Sequence, residues 1–549
     1  MNFLDNILGR LHRMGDQPVL QEVRNGHLAV KMGQELSELV TTAANFLQEA
    51  GIKKGERCAL LAHNSVRWVA LDLALIGRGI ISVPLYARQA PNELVAMMKD
   101  CKPSLLCCGE ESLRDAVTRA WPDAPRLVLF DEIFAQTRRD IGPPLPVELS
   151  PSDPVTIIYT SGTSGEAKGV ILTVGNLNHM LACTTARLDL LMRSRQEPDR
   201  VFHYLPLCFA GSWILLLTSL SRSSVLTLST DLAKLADEMR LADPHYFLNV
   251  PTVLERMRTG VRDQLAKRGG LAFKIFQKGE AAWLRRQAGE ARGSDAIWLG
   301  LANRIVFPAV RRKLGSNLKA LICGSAPLAK ETQLFFQMLG VPVLQVYGLT
   351  ETTAICTMDD PRRVTAGCVG PAIDGVEMRL GEAEEILVRG SNIFPGYWNR
   401  PEETARVLRD GWFHTGDQGE VDSAGNWRII GRLKNLIILS SGHNIAPEPI
   451  EEKLLRQLPG SHQMVLVGNG RNSLSAIVTG EVPSERVQAA LDAINGQLPH
   501  YKKIRAFHIE REPFTIESGL LTANGKLKRD AIAARFASQI EELYREKVT

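Results

Sequence analysis

Two apolar, β-rich runs, 155–159 and 170–172, bracket a stretch made of hydroxyls, glycines and one ammonium: Thr160, Ser161, Gly162, Thr163, Ser164, Gly165 and Lys168. Glycines let the backbone turn its N–H groups toward one point, and the hydroxyls and the lysine add further donors. Such residues between two buried strands make an anion cradle suited to a triphosphate. The stretch is not a Walker loop. Ala167 stands where that motif needs its second glycine, and Gly169 follows the lysine where Ser or Thr belongs. The competing reading is a Ser/Gly-rich hairpin loop without a ligand.

The stretch YTSGTSGEAKG resembles the phosphate loop of the AMP-forming, adenylate-forming ligases, which include acyl-CoA synthetases, luciferases and peptide-synthetase adenylation domains. Further motifs follow in that family's order. An apolar run at 318–323 ends in Gly324, Ser325, Ala326, Pro327 and Leu328; small residues past a strand's carboxyl end let a flat ring approach the backbone. The next run, 341–346, delivers Tyr347-Gly348-Leu349-Thr350-Glu351-Thr352. The resemblance assigns Tyr347 and Gly348 to the nucleotide, Thr350 to its α-phosphate and Glu351 to Mg²⁺, with Thr163 as a second Mg²⁺ ligand. Glu351 is the only carboxylate of its turn, and Mg²⁺ is commonly held by one or two carboxylates plus phosphate oxygens. Asp417, in GWFHTGD, is implied to take the ribose, supported by Arg432 of GRLKN, and Lys434 is implied to be a hinge. Ser441, Gly442 and His443 lie where coenzyme A would pass. Lys526, after an Asn-Gly turn, matches the family's catalytic lysine; a cation there relieves repulsion between a carboxylate and an α-phosphate.

These residues need elements to hold them. Helical spacing over 35–50, 65–77 and 92–101 alternates with strand-like runs at 57–62, 80–85 and 104–108. With no hairpin signal noted among them, the pattern predicts a parallel α/β sheet. A helix over 176–187 and strands at 201–205 and 246–250 continue it. The segment PLCFAGSW carries Phe209 where the family commonly has histidine, and Phe209 and Trp213 are the candidate acyl-pocket residues. From 258 to 314 the pattern is helical and rich in Arg and Lys, readable as a solvated face or a lipid-facing surface. After GRLKN the elements become smaller and mixed. The expected fold is therefore α/β: a large N-terminal adenylate-forming domain (1–431) with parallel sheets and helices, and a small mobile α+β domain (432–549).

The chain has 549 residues, too many for one core. A net charge of +5 does not argue for nucleic acid. Nine scattered cysteines form no C-x-x-C pair, so they read as buried, reduced thiols, and no metal beyond Mg²⁺ is expected. The N-terminus lacks an apolar core of signal-peptide length, and the most apolar stretches are interrupted or too short to span a bilayer. The expectation is a cytoplasmic protein, with peripheral membrane contact and homodimerisation left open.

Together the resemblance implies an ATP-dependent, AMP-forming acyl-CoA synthetase using ATP, Mg²⁺ and coenzyme A on a medium- to long-chain fatty acid. Four rivals share parts of the pattern: a luciferase-like oxygenase, a peptide-synthetase module, a nucleotide-binding protein without catalysis, and a fatty acyl-AMP ligase that delivers to a carrier protein. The first is expected to carry a K-x-K-G loop where this chain has SSGH, and the second an Asp in PLCFAGSW, where none stands. The third is expected to lack Glu351 or Lys526, and both are present.

Overall fold

The computed structural model describes residues 2–135, 147–161, 167–193, 197–229, 231–522 and 525–545. Two largely parallel sheets form its centre. The first, of six strands, runs Leu127–Leu129, Leu105–Cys108, Arg57–Leu61, Ile81–Leu85, Pro154–Ser161, Ala167–Thr173. Its pairs are parallel except the last, an antiparallel hairpin in register from Thr156↔Leu172 to Ser161↔Ala167. The second, of eight strands, places Tyr246–Asn249, Leu321–Cys323 and Val343–Tyr347 side by side and parallel.

The inner strands of the sheets are covered on two faces, which explains runs such as Leu105–Cys108 in which every residue is buried. Between them lie two nearly all-apolar helices. Val66–Gly77 buries ten residues and Ala210–Ser221 another ten, so the two most apolar stretches of the chain are core. No helix among the described residues is long and apolar enough to cross a membrane.

Two features depart from the sequence expectation. Pro18–Arg24 and His27–Met32 form an antiparallel hairpin at the edge of the second sheet, closed by Asn25 (φ 50°) and Gly26 (φ 77°). Positive φ at both central residues is what an Asn-Gly turn supplies, so a hairpin signal was present in the sequence. In a third, wholly antiparallel sheet (Val376–Leu380, Glu385–Gly390, Trp412–Val421, Trp427–Arg432, Leu408–Arg409), only the run 427–430, just ahead of GRLKN, reads as a strand from sequence. Beyond it, Ser461–Val467, Leu474–Gly480 and Ile504–Glu510 form a three-stranded mixed sheet under the helices Glu448–Gln457 and Ser484–Asn495, with an apolar core of its own. Two ion pairs tie this last unit to the rest: Arg456–Glu331 at 2.6 Å and Lys528–Glu93 at 3.2 Å.

Candidate active site

The site forms where strand ends of the two parallel sheets and the third sheet meet. Trp412–Val421 alternates buried and half-buried residues, which turns Asp417 inward. Its cross-strand partner is Arg432, whose Nε donates to Asp417 Oδ1 at 2.7 Å. Tyr347, the last residue of Val343–Tyr347, donates its hydroxyl to Asp417 Oδ2 at 2.8 Å. One carboxylate thus joins three segments distant in sequence.

Next to Tyr347 the chain makes a tight turn. A Cβ on Gly348 would sit 2.3 Å from the Ala354 carbonyl oxygen, so only glycine fits there. The turn Thr350–Thr352 presents Glu351 to the cleft. The Glu351 carbonyl accepts from the Phe394 N–H (2.9 Å), and its carboxylate Oε1 accepts the Tyr397 hydroxyl at 2.8 Å. Tyr397 gave no signal as a candidate from the sequence, standing in an aromatic run, Phe394-Pro395-Gly396-Tyr397-Trp398. That run docks on the outer strand of the first sheet through Ile171 N–H to Gly396 O and Trp398 N–H to Gly169 O. The Lys168 ammonium lies 5.3 Å from the Tyr397 ring centroid and pairs with Glu403. The docking also accounts for Gly169: a Cβ there would meet Ile157 Cγ2 at 2.6 Å and Trp398 Cβ at 3.2 Å. The departure from the Walker pattern is a packing requirement.

A single cleft of ≈ 1540 Å³ takes in Thr160, Lys168, Phe209, Gly324, Ser325, Gly348, Thr350, Glu351, Arg432, Lys434 and Lys526. Ser325 holds φ 72°, and a Cβ on the neighbouring Gly324 would come within 2.7 Å of Val346 Cγ2. Phe209 sits 5.5 Å from Tyr86, both rings on the wall. An apolar arm leads off along one face of Ala210–Ser221, lined by Gly211, Ile214, Leu215 and Thr218. At Thr218 the wall meets Thr184, the two hydroxyls 2.8 Å apart.

Other expected residues are placed elsewhere. Trp213 does not line the arm, and its assignment to the acyl pocket is corrected. It is fully buried on the opposite side of its helix, where Nε1 donates to Asp72 Oδ2 at 2.7 Å. Tyr347 and Asp417 lie behind the wall rather than on it, and Ala326 and Pro327 are exposed outside it. Ser441, Gly442 (φ 82°) and His443 are likewise exposed outside the cleft, His443 stacked on Tyr501 at 4.2 Å. Gly162, Thr163, Ser164 and Gly165, with the Ser161 side chain, fall outside the described residues.

The electrostatics follow from crowding. Lys526 is accessible to the open cleft yet enclosed by its walls. Lost hydration and the Arg432 charge push its pKa below the ordinary lysine value, against the pull of Asp417 and Glu351. Lys434 is brought down to about 8 by burial and by Arg432. Burial, and then the neighbouring carboxylates, push the Tyr347 and Tyr397 phenols up, which keeps both hydroxyls as donors. Among the described residues no cluster of three His, Cys, Asp or Glu side chains could hold a metal alone. Glu351 has one oxygen engaged by a neutral hydroxyl, a donor set that fits Mg²⁺ only if substrate oxygens complete it.

The chain matches known proteins over most of its length. Residues 30–398 match the AMP-binding enzyme family and 434–548 the AMP-binding enzyme C-terminal domain. The chain is 28% identical to the long-chain-fatty-acid–CoA ligase FadD15 of Mycobacterium tuberculosis, over 93% of this chain and 91% of that one. It is 31% identical to the putative fatty-acid–CoA ligase fadD11 of the same organism, over 72% and 74%. In fold it resembles the Bacillus subtilis O-succinylbenzoate coenzyme A synthetase in complex with AMP (TM-score 0.74, 20% identity, 96% and 97% covered). A Mycobacterium tuberculosis fatty acyl CoA synthetase is similar as well (TM-score 0.67, 21% identity, 98% and 99% covered). With 30–398 and 434–548 both matched, the chain belongs to the AMP-binding enzyme family, as an acid–thiol ligase among relatives named fatty-acid–CoA ligases.

Proposed function

We propose that the protein is an ATP-dependent, AMP-forming acyl-CoA synthetase that activates a medium- to long-chain fatty acid as its acyl-adenylate and then transfers the acyl group to coenzyme A. The observation that carries this reading is the continuity of one cleft. An apolar arm opens directly onto Thr350, Glu351, Arg432 and Lys526. The arm follows Ala210–Ser221 from Gly211 to Thr218, about 10 Å at 1.5 Å per residue, which suits an acyl chain better than a short acid.

In this reading the fatty carboxylate attacks the α-phosphate of ATP and pyrophosphate leaves. Lys526 and Thr350 meet charge that grows on the α-phosphate oxygens, a gain realised mostly in the transition state. Glu351 would hold Mg²⁺, oriented by the Tyr397 hydroxyl, and the ion supplies charge neutralisation for the phosphates when bound. From behind the wall, Asp417 fixes Arg432, which faces the cleft, and Tyr347, which does not. For the second step the unit after residue 431 turns about Lys434, removing Lys526 and bringing Ser441, Gly442 and His443 to the acyl group, where the thiol of coenzyme A displaces AMP.

The test follows pyrophosphate, AMP and acyl-CoA together, with ATP, Mg²⁺ and saturated acids from hexanoate to stearate, with and without coenzyme A. Multiple turnovers only with coenzyme A are expected. Pyrophosphate stalling near one turnover in both cases would point to an acyl-AMP ligase serving a carrier protein. No pyrophosphate with any acid would sink the fatty-acid assignment.

A further inference from the structure

We propose that the helical segment 251–314 carries a docking surface for an anionic lipid bilayer. The segment holds 14 lysines and arginines against 5 carboxylates, a net +9, whereas the whole chain carries only +5, so everything outside it is net −4. Arg262 is neutralised by Glu280 and Arg285 by Asp295. Lys274, Lys278, Arg286, Arg304 and Arg312 are exposed, with no ion pair among the described residues.

The same segment exposes large apolar side chains: Leu271 (71%), Leu284, Ile297 (64%), Leu301 and Ile305 (53%). Half of the exposed large hydrophobics of the described protein fall within these 35 positions. Ile297, Leu301 and Ile305 are spaced i, i+4, i+8. In an α-helix four residues overshoot a full turn by about 40°, and such a stripe drifts. Here the second interval falls in a π-helical turn, Ala302–Val306, whose wider i→i+5 winding falls short of a full turn over four residues and reverses the drift. The three side chains therefore stay on one outward line. The opposite face of the helix (Leu299, Ala302, Val306, Phe307, Val310) is buried against the core, so folding does not require the outward one. Beside the line, the Lys278 ammonium lies 4.7 Å over the half-buried Trp298 ring.

An apolar line flanked by unpaired cations and an aromatic ring matches an interfacial helix, with side chains among acyl chains and cations at lipid phosphates. A second copy of the chain would bring +9 against +9. A nucleic acid would reward the cations and leave Ile297, Leu301 and Ile305 in water. The bilayer satisfies both features, and this conclusion does not depend on which acid the enzyme activates.

The experiment is co-sedimentation of the full chain with phosphatidylcholine vesicles, with or without roughly a third phosphatidylglycerol, at low and high salt. Binding is expected only to the anionic vesicles, weakened by salt. Two variants separate the contributions: Ile297→Ser with Leu301→Ser and Ile305→Ser, and Arg304→Glu with Arg312→Glu. Each should weaken binding about tenfold or more, while melting temperature and turnover of a water-soluble short acid stay at the parent value. No binding by the parent protein, or undiminished binding by both variants, overturns the proposal. So does a concentration-dependent dimer that the serine variant abolishes, because it assigns the line to a second copy.

Discussion

Asp417 and Asp72 are both buried carboxylates that accept a hydrogen bond from an aromatic side chain, at 2.8 Å from Tyr347 and 2.7 Å from Trp213. Their second donors differ. Asp417 receives the Arg432 guanidinium at 2.7 Å; Asp72 receives only the Ser82 hydroxyl, also at 2.7 Å. Without a cation, burial prevails over the two neutral donors and pushes the Asp72 carboxyl up to about 6. Asp72 sits on the core helix Val66–Gly77, while Asp417 holds an arginine that faces the cleft together with Lys526. Hydrogen-bond count does not separate a site from a core. The countercharge and its access to open space do.

The largest effect that tests this contrast is Lys526→Ala. It should slow acid-dependent pyrophosphate release, read in a single turnover, by on the order of a hundredfold or more. Melting should hardly change, because the side chain faces the cleft. A stability loss without a rate loss would move Lys526 to the Asp72 class. The converse variant, Trp213→Phe, leaves a buried carboxylate with one donor fewer. About 1–3 kcal/mol of unfolding free energy should be lost in a urea titration, with turnover per folded molecule unchanged. The pH dependence has a definite sign. Because the Asp72 pKa is raised on folding from 3.8 to about 6, the native state binds more protons in that window. Its contribution to stability therefore falls as pH rises from about 4 through 6. Trp213→Phe raises that pKa further, so its deficit should be larger at pH 7 than at pH 4. A deficit independent of pH would show that the indole acts by packing alone.

Gly169 sharpens the contrast from the side of the site. Replacing it with the serine that a Walker loop would carry puts a Cβ 2.6 Å from Ile157 Cγ2 and should cost about 1–3 kcal/mol of stability. If Gly169→Ser left stability intact and changed only the KM for ATP, the glycine would belong to the phosphate site.

Much of this organisation was legible because the family motifs sit at strand ends. GSAPL follows Leu321–Cys323 and Y-G-L-T-E-T closes Val343–Tyr347, so locating those strands located Glu351. Trp213 was misplaced for a different reason. Ala210–Ser221 is uncharged and buried nearly all round, and composition cannot say which face meets a cavity and which meets Val66–Gly77. The antiparallel sheet around Trp412–Val421 was passed over since its inward alternation includes Thr415, Asp417 and Gly419, not an apolar series. Tyr397 was invisible for a third reason: its role arises from long-range docking of 394–398 on Ala167–Thr173, which has no local pattern.

Tyr397→Phe is the mildest of these tests. The phenol donates one neutral hydrogen bond to Glu351, and its ring stays beneath the Lys168 ammonium in the variant. Losing one such bond at a carboxylate that water can reach is worth about 1 kcal/mol, a several-fold effect. If Tyr397 orients Glu351 for Mg²⁺, the loss should appear as a raised Mg²⁺ requirement, with melting unchanged and near-parental turnover at saturating Mg²⁺. If the bond only stabilises the 394–398 segment, the variant should instead melt lower and keep its Mg²⁺ dependence. That outcome would group Tyr397 with Trp213, an aromatic donor serving a carboxylate for the sake of the fold.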